Sequence, residues 1–202
     1  VHLLSTTEQY AQYSIAGPNA RELLRKVIDP TFDISNQSFP FMACAEITVC
    51  DGTPARLFRI SFSGELAYEI AVPTRYGDAL IRALMTAGKE FDGVAYGTEA
   101  LNVMRIEKGH PAGNELNGQT NGYDLGMGRL LTKPTDYIGR TLSERPGLRS
   151  AERPTFIGFR PVNRSKDLTA GAHIVAKEAK ATTKNDEGWI SSVAFSPTLN
   201  HS

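Results

Sequence analysis

The segment RISFSGELAYEIAV, from Arg59 to Val72, predicts two β-strands joined by a turn at Ser63-Gly64. Apolar and polar residues alternate along both halves of the segment, and a period of two is typical of strands that bury one face. The segment therefore predicts a β-hairpin, around which we expect the rest of the fold to be arranged.

The register of this hairpin decides where its carboxylates lie. If the apolar residues of both strands share one face, three pairs must be neighbours: Phe62 with Leu66, Ile60 with Tyr68, and Phe58 with Ile70. The loop is then Ser63-Gly64-Glu65, in which glycine can adopt a positive φ. A two-residue loop would bring Phe62 beside Glu65 and bury a charge, so we reject it. The expected register places Glu69 opposite Arg59 on the less apolar face.

Glu69 then has two interpretations. It can form one half of a cross-strand ion pair with Arg59, worth roughly 0.2–1 kcal/mol. Alternatively, its carboxylate can accept two N–H groups from a flat heterocycle, with an arginine nearby. The alternation pattern leaves both interpretations open.

The composition limits the possible partners. The chain has 202 residues, enough for one large domain or two small ones, and its formal net charge is zero. A neutral chain gives no electrostatic reason to expect nucleic acid or an anionic membrane as a partner. No apolar run approaches the roughly 20 residues that cross a bilayer, and the four histidines lack the spacing of metal ligands.

The two cysteines indicate a redox setting. Cys44 and Cys50 lie in one predicted strand, where roughly 20 Å at about 3.3 Å per residue separates them. They cannot bridge each other within that strand. Two free thiols favour a reducing, cytoplasmic location.

The remaining patterns predict the order β-α-β-β-β-α-α, followed by a β module. Outside the hairpin, the predicted strands and helices of the first part are Tyr10 to Ala16, a helix that begins at Gly17-Pro18, Cys44 to Cys50, Arg75 to Ala87 and Thr98 to Lys108. In the last helix, Ala100, Val103 and Met104 form the expected core stripe, so Arg105 projects to another face. This is an α+β fold, with a mixed antiparallel sheet covered by helices.

The second part of the chain is richer in loops. The Gly/Asn-rich stretch from Gly109 to Arg129 is either a functional loop or a solvated surface loop. Three short strand candidates follow, at Thr155 to Arg160, Gly171 to Val175 and Trp189 to Phe195, with a charged, exposed connection before the last. We expect a domain over residues 1–150 and a small β-barrel-like module over residues 151–202.

Few chemical motifs are present. The sequence has no G-x-G-x-x-G, G-x-x-x-x-G-K-[ST] or G-x-S-x-G run. The residues alone predict a small-molecule site between the hairpin, the helix that begins at Thr98 and the long loop. Aromatic residues there, Phe62, Tyr68 and Tyr96, suit a flat apolar ligand with polar edges.

Six runs, in this order, resemble the folate-binding aminomethyltransferase family, which has the fold of the glycine-cleavage T-protein. They are Ile15 to Leu24, Arg59 to Ile70, Tyr96 to Gly109, Leu125 to Arg129, Lys133 to Arg140 and Gly188 to Leu199. The last run is similar to the family's C-terminal barrel signature. The resemblance implies an incomplete aminomethyltransferase fold that binds tetrahydrofolate.

Within the family, the runs are most similar to the branch formed by the α subunits of heterotetrameric sarcosine oxidases. That branch implies β, γ and δ partner subunits, with FAD, FMN and NAD elsewhere in the complete enzyme. The resemblance further implies that a flavin in the β subunit oxidises sarcosine and that folate is expected to capture the one-carbon unit as 5,10-methylenetetrahydrofolate. Two alternatives are an aminomethyltransferase and a non-catalytic module for subunit assembly, which would bind no folate.

The resemblance also implies roles for individual residues. Glu69 matches the glutamate that holds the pterin ring, and Arg105 matches an arginine that lines the same pocket. Phe62 matches an aromatic residue that packs on folate, while Glu65 and Tyr68 flank these positions and are weaker candidates. A pterin presents N3–H and a 2-amino group side by side, a fork that one carboxylate can accept.

Four positions depart from the family pattern. Phe62 replaces the usual tyrosine and Ala67 the usual glycine, while His110 and Asn114 stand where the branch that serves iron–sulfur assembly has Cys and Gln. The last two differences argue against that branch. The family's catalytic aspartate is expected before Val1, so we expect no catalytic residue in this chain and no complete reaction by this part alone. We also expect the chain to be cut from a larger protein at both ends.

Overall fold

The computed structural model describes residues 2–162 and 168–202. The chain forms two compact units, Val1–Met104 and Arg105–Ser202. Each unit is described by itself below, and the expected domain boundary after residue 150 stays a prediction.

The first unit is built on one antiparallel sheet. Its elements, in chain order, are β1 (Tyr10–Ala16), α1 (Ala20–Arg25), β2 (Cys44–Val49), β3 (Thr53–Phe58), β4 (Ala67–Pro73), α2 (Gly77–Gly88) and α3 (Thr98–Lys108), which continues into the second unit. The strands are ordered β1-β4-β3-β2 across the sheet. The predicted order of elements and the α+β class are confirmed. The described residues contain no helix of the length and hydropathy needed to cross a membrane.

The core lies against one face of this sheet. The side chains that face it from the strands include Tyr68, Ile70 and Val72 of β4, Leu57 of β3, and Ile47 and Val49 of β2. Leu24 of α1 and Leu80 and Leu84 of α2 complete the same buried cluster. Burial of this apolar surface is the main stabilising contribution to the unit.

The hairpin forms, but its predicted register is wrong by one residue. Leu57 pairs with Ile70 and Phe58 with Glu69, so Leu57 faces the core while Phe58 lies on the opposite face. A shift of one residue exchanges the two faces of a strand. The predicted three-residue loop is also wrong, because β3 ends at Phe58 and residues 59–66 form an irregular connection.

Leu57 and Phe58 are both apolar, so alternation alone allows either to face the core, and Leu57 is the one that is buried. Arg59 follows the end of β3. Its N–H donates to the Ala43 carbonyl at 2.9 Å, and its carbonyl accepts from the Met42 N–H at 2.9 Å. Its guanidinium donates to the Phe39 carbonyl at 2.8 Å. Arg59 therefore pairs with the segment before β2, and the predicted contact between Arg59 and Glu69 is wrong.

Helix α3 has its predicted bounds, but its predicted buried face is wrong. Ala100 is exposed, Val103 and Met104 are half-buried, and Arg105 is the buried residue among those described in this helix. Gly109, with φ of 73°, follows the helix end as predicted.

The second unit contains two short helices, α4 (Gly128–Leu131) and α5 (Arg140–Ser143), and a strand pair, β5 (His173–Val175) and β6 (Asp186–Trp189). The charged connection between β5 and β6 is mostly exposed, as predicted. The strand predicted from Thr155 to Arg160 does not form, and Ile157 and Phe159 there are more than half exposed. The last predicted strand is also displaced, because β6 ends at Trp189.

Candidate functional site

Glu69 projects from the sheet face that lies away from the core. Directly opposite it are Ser14 of β1 on one side and Phe58 of β3 on the other. Its neighbours on the same face of β4 are Ala67 and Ala71, since alternate residues of a strand share a face. The half-buried carboxylate is therefore flanked along its own strand by small side chains.

The partner of Glu69 is neutral. The side-chain amide of Gln12 in β1 donates a hydrogen bond to the Glu69 carboxylate. Among the described residues, Glu69 has no ion pair within 4.0 Å. The Glu69 carboxylate retains acceptor capacity beside this amide, because a carboxylate has about four lone-pair sites.

Phe62 and Glu65 lie in the connection between β3 and β4. The Gly64 N–H donates to the Ser61 hydroxyl at 3.0 Å, and the Glu65 N–H donates to the Ser63 hydroxyl at 3.4 Å. These bonds shape a turn in which Phe62 is half-buried and Glu65 is exposed.

Tyr68 lies on the core face, opposite to the face of Glu69. Its side chain is fully buried, and its hydroxyl accepts a hydrogen bond from the Arg21 guanidinium at 2.8 Å. Its ring stacks on Phe39 at 6.5 Å between centroids. A folate contact for Tyr68 stays a prediction, and this burial gives it no support.

Arg105 is held by polar groups of the second unit. Its side chain is 8% exposed. The guanidinium donates to the Glu115 carboxylate at 3.1 Å, to the Ser192 hydroxyl at 2.8 Å and to the His110 carbonyl at 3.4 Å. The helix tolerates a buried arginine because these acceptors replace water.

Glu115 was not among the predicted site residues. Burial alone would raise the pKa of its carboxyl, but hydrogen bonds from Ser191, Ser192 and the Ala112 N–H, together with the charge of Arg105, lower this pKa below its usual value. Glu115 is therefore the ionised counter-charge of Arg105. The sequence signal for Glu115 was weak, because it is one of two acids in the Gly/Asn-rich stretch, and Gln12 gave no signal.

The predicted site residues are divided between the two units. Phe62, Glu65, Tyr68 and Glu69 belong to the first unit, and Arg105 belongs to the second. Within the first unit, Glu69 and Tyr68 lie on opposite sheet faces, and Phe62 and Glu65 lie in the connection that precedes them.

A match to a family model defines the class of protein. The family model described as the GCVT N-terminal domain matches residues 1–134. The chain belongs to this family.

Three curated relatives show which members of the family are similar to this chain. The chain is 47% identical to sarcosine oxidase subunit alpha of Rhizobium meliloti (strain 1021), over 98% of this chain and 20% of the relative. It is 34% identical to mitochondrial dimethylglycine dehydrogenase of Mus musculus, over 69% of this chain and 16% of the relative. It is 28% identical to an aminomethyltransferase of Paraburkholderia phymatum, over 98% of this chain and 51% of the relative. The chain spans about a fifth of the length of the curated sarcosine oxidase subunits that it matches.

Proposed function

We propose that this chain is the tetrahydrofolate-binding part of a sarcosine oxidase α-type subunit. In the complete enzyme, folate accepts the one-carbon unit released by oxidative demethylation of sarcosine and leaves as 5,10-methylenetetrahydrofolate. The observation that carries the proposal is the half-buried carboxylate of Glu69 on the sheet face away from the core, within a region that matches the GCVT family.

Glu69 is the proposed pterin acceptor. Its two oxygens accept the N3–H and the 2-amino group of the ring, and charge-assisted hydrogen bonds of this kind are stronger than neutral ones. Gln12 donates one hydrogen bond to the same carboxylate, which has further lone pairs for the ring. Ser14, Ala67 and Ala71 beside it are small, which suits a flat ring lying over the strands.

Arg105 and Phe62 are further proposed folate-binding residues. A guanidinium presents a planar set of donors that suits a carbonyl or ring nitrogen of the pterin. Phe62, in the connection before β4, would pack on the ring system. Glu65 is exposed and Tyr68 is buried in the core, so both remain weaker candidates.

The remaining proposals concern the complete protein. FAD, FMN and NAD would bind elsewhere in it, and β, γ and δ subunits would assemble with it in the cytoplasm. The region from 151 to 202 would belong to a C-terminal barrel-like domain, of which β5 and β6 form one antiparallel pair.

A second candidate function is aminomethyl transfer from a carrier protein to folate. The similarity to the Paraburkholderia phymatum aminomethyltransferase favours it, because the match extends over half of that enzyme. Both functions use the same folate site, so they differ in the donor of the one-carbon unit.

Calorimetry with a reduced folate on the complete protein tests the proposal. We expect binding by the wild type and weaker binding by Glu69→Ala and by Arg105→Ala. Glu22→Ala is the matched control, because it removes an exposed acid whose partner is Arg25 on the surface of α1. Unchanged affinity in both variants would overturn the two residue assignments, and a wild type that binds no folate would favour an assembly role. If the wild type binds, turnover with sarcosine as the sole one-carbon donor separates oxidation from aminomethyl transfer.

A further inference from the structure

The second unit contains a closed polar network around the Arg105 guanidinium. One terminal nitrogen donates to Oε2 of Glu115 at 3.1 Å, and the other donates to the Ser192 hydroxyl at 2.8 Å. The Ser192 hydroxyl in turn donates to Oε1 of Glu115 at 2.5 Å. The Glu115 carboxylate thus holds both terminal nitrogens of the guanidinium, one directly and the other through the Ser192 hydroxyl.

The loop that carries Glu115 is built to hold this carboxylate in place. Glu115 ends the short 3-10 turn Gly113–Glu115, and its Oε2 also accepts the Ala112 N–H at 2.9 Å. The adjacent Asn114 amide donates to the Ser191 carbonyl at 3.2 Å, which ties the loop to the segment that supplies Ser192. The Gly/Asn-rich stretch therefore holds the Glu115 carboxylate in place within this unit.

Burial makes each charge of the Arg105–Glu115 pair depend on the other. The Glu115 side chain is 2% exposed, so neither charge of the pair is well solvated. A buried guanidinium that loses its counter-charge must find another acceptor or turn toward water. The orientation of Arg105 consequently depends on Glu115, and contacts that Arg105 makes with a ligand depend on it as well.

We propose that Glu115 is a positioning residue for the folate site, because it holds the Arg105 guanidinium in the orientation that meets the pterin. This inference rests on the proposed function of Arg105. Glu115 itself does not touch the folate and acts only through the arginine. A purely structural ion pair would instead stabilise the unit without affecting folate affinity.

The test is a double-mutant cycle on the complete protein, read as the dissociation constant of a reduced folate by calorimetry. Glu115→Gln keeps the size of the side chain and removes its charge. We expect it to weaken binding by about 10- to 100-fold, the range of a hydrogen bond to a charged group. In an Arg105→Ala background the same change should have no further effect, whereas with Glu69→Gln the two effects should multiply.

Two further variants keep the test decisive. Glu144→Gln is the matched control, since it neutralises an exposed acid paired with Arg140 in the same unit, and we expect no change in affinity. Ser192→Ala removes only the bridging hydroxyl and serves if Glu115→Gln fails to fold, with an expected loss of about threefold or more.

The outcomes separate the inference from the proposed function. Wild-type binding with unchanged affinity in folded Glu115→Gln, or in Ser192→Ala if that variant replaces it, would overturn the inference alone. Full multiplicativity with Arg105→Ala would also overturn it, because Glu115 would then act independently of the arginine. A wild type that binds no folate would overturn both the proposed function and this inference.

Discussion

Leu57→Ala and Phe58→Ala form a pair of variants that tests the register of the sheet, and with it the face on which Glu69 lies. Leu57 is fully buried against Ile70, while Phe58 is half-buried beside Glu69 on the other face. Truncation of a buried leucine costs about 2–5 kcal/mol of unfolding free energy. Truncation of a fully buried phenylalanine costs about 3–5 kcal/mol, so a half-buried one should cost about 1–2 kcal/mol.

The free energy of unfolding should therefore fall more in Leu57→Ala than in Phe58→Ala, although phenylalanine is the larger side chain. Urea denaturation followed by far-ultraviolet circular dichroism measures it. The only tryptophan, Trp189, belongs to the second unit, so its fluorescence would not report on the first. Hydrogen exchange of β3 and β4 localises the effect. A larger loss in Phe58→Ala would contradict the observed register and support the one that places Phe58 toward the core.

Three further predictions concern individual contacts. Tyr68→Phe removes the acceptor of the Arg21 guanidinium inside the first unit and should cost about 1–2 kcal/mol in urea denaturation; a neutral effect would show that the hydroxyl bond contributes nothing. Arg153 makes two bonds to Asp124, at 2.8 and 2.6 Å, and this pairing lowers the pKa of the Asp124 carboxyl. The stabilising effect of this pairing is complete above the unfolded pKa of about 3.9 and is lost as the pH falls through the lower folded pKa. In Asp124→Asn, the free energy of unfolding should therefore depend less on pH below about pH 4. An unchanged pH profile would refute this. Burial, with a smaller effect from Asp51, raises the pKa of the Cys50 thiol. In a variant whose other cysteine is replaced by serine, iodoacetamide should therefore alkylate Cys50 more slowly near pH 8 than it alkylates an unstructured peptide thiol. Equal rates would disprove the shift.

The order of elements could be predicted because it depends on local periodicity. Helix α3 begins at Thr98 and is followed by Gly109, and both predicted bounds were correct. The register of β3 could not be predicted in the same way. Leu57 and Phe58 are adjacent apolar residues, so the alternation permits two frames, and the tertiary packing that buries Leu57 against the core selects one of them.

The burial of Arg105 was beyond the reach of a helical pattern. Its acceptors come from Glu115 and from Ser192, which is 87 residues away in the sequence. Periodicity describes which side chains share a helix face, and it carries no information about which distant groups satisfy a buried charge. The strand predicted at 155–160 fails for a related reason, since its alternating residues have no partner strand in the described part of the chain.

The site was predicted by resemblance rather than by physics. The alternation alone favoured an ion pair of Glu69 with Arg59, and the structure shows Arg59 bonded elsewhere. What the structure adds is the surroundings of the carboxylate, namely Gln12, Ser14 and Phe58.

The most direct test of the proposed folate site is a crystal structure of the complete protein with a reduced folate bound. The account predicts both carboxylate oxygens of Glu69 within hydrogen-bonding distance, about 2.7–3.2 Å, of N3 and the 2-amino group of the pterin. A folate bound elsewhere, with Glu69 out of contact with the pterin, would contradict it.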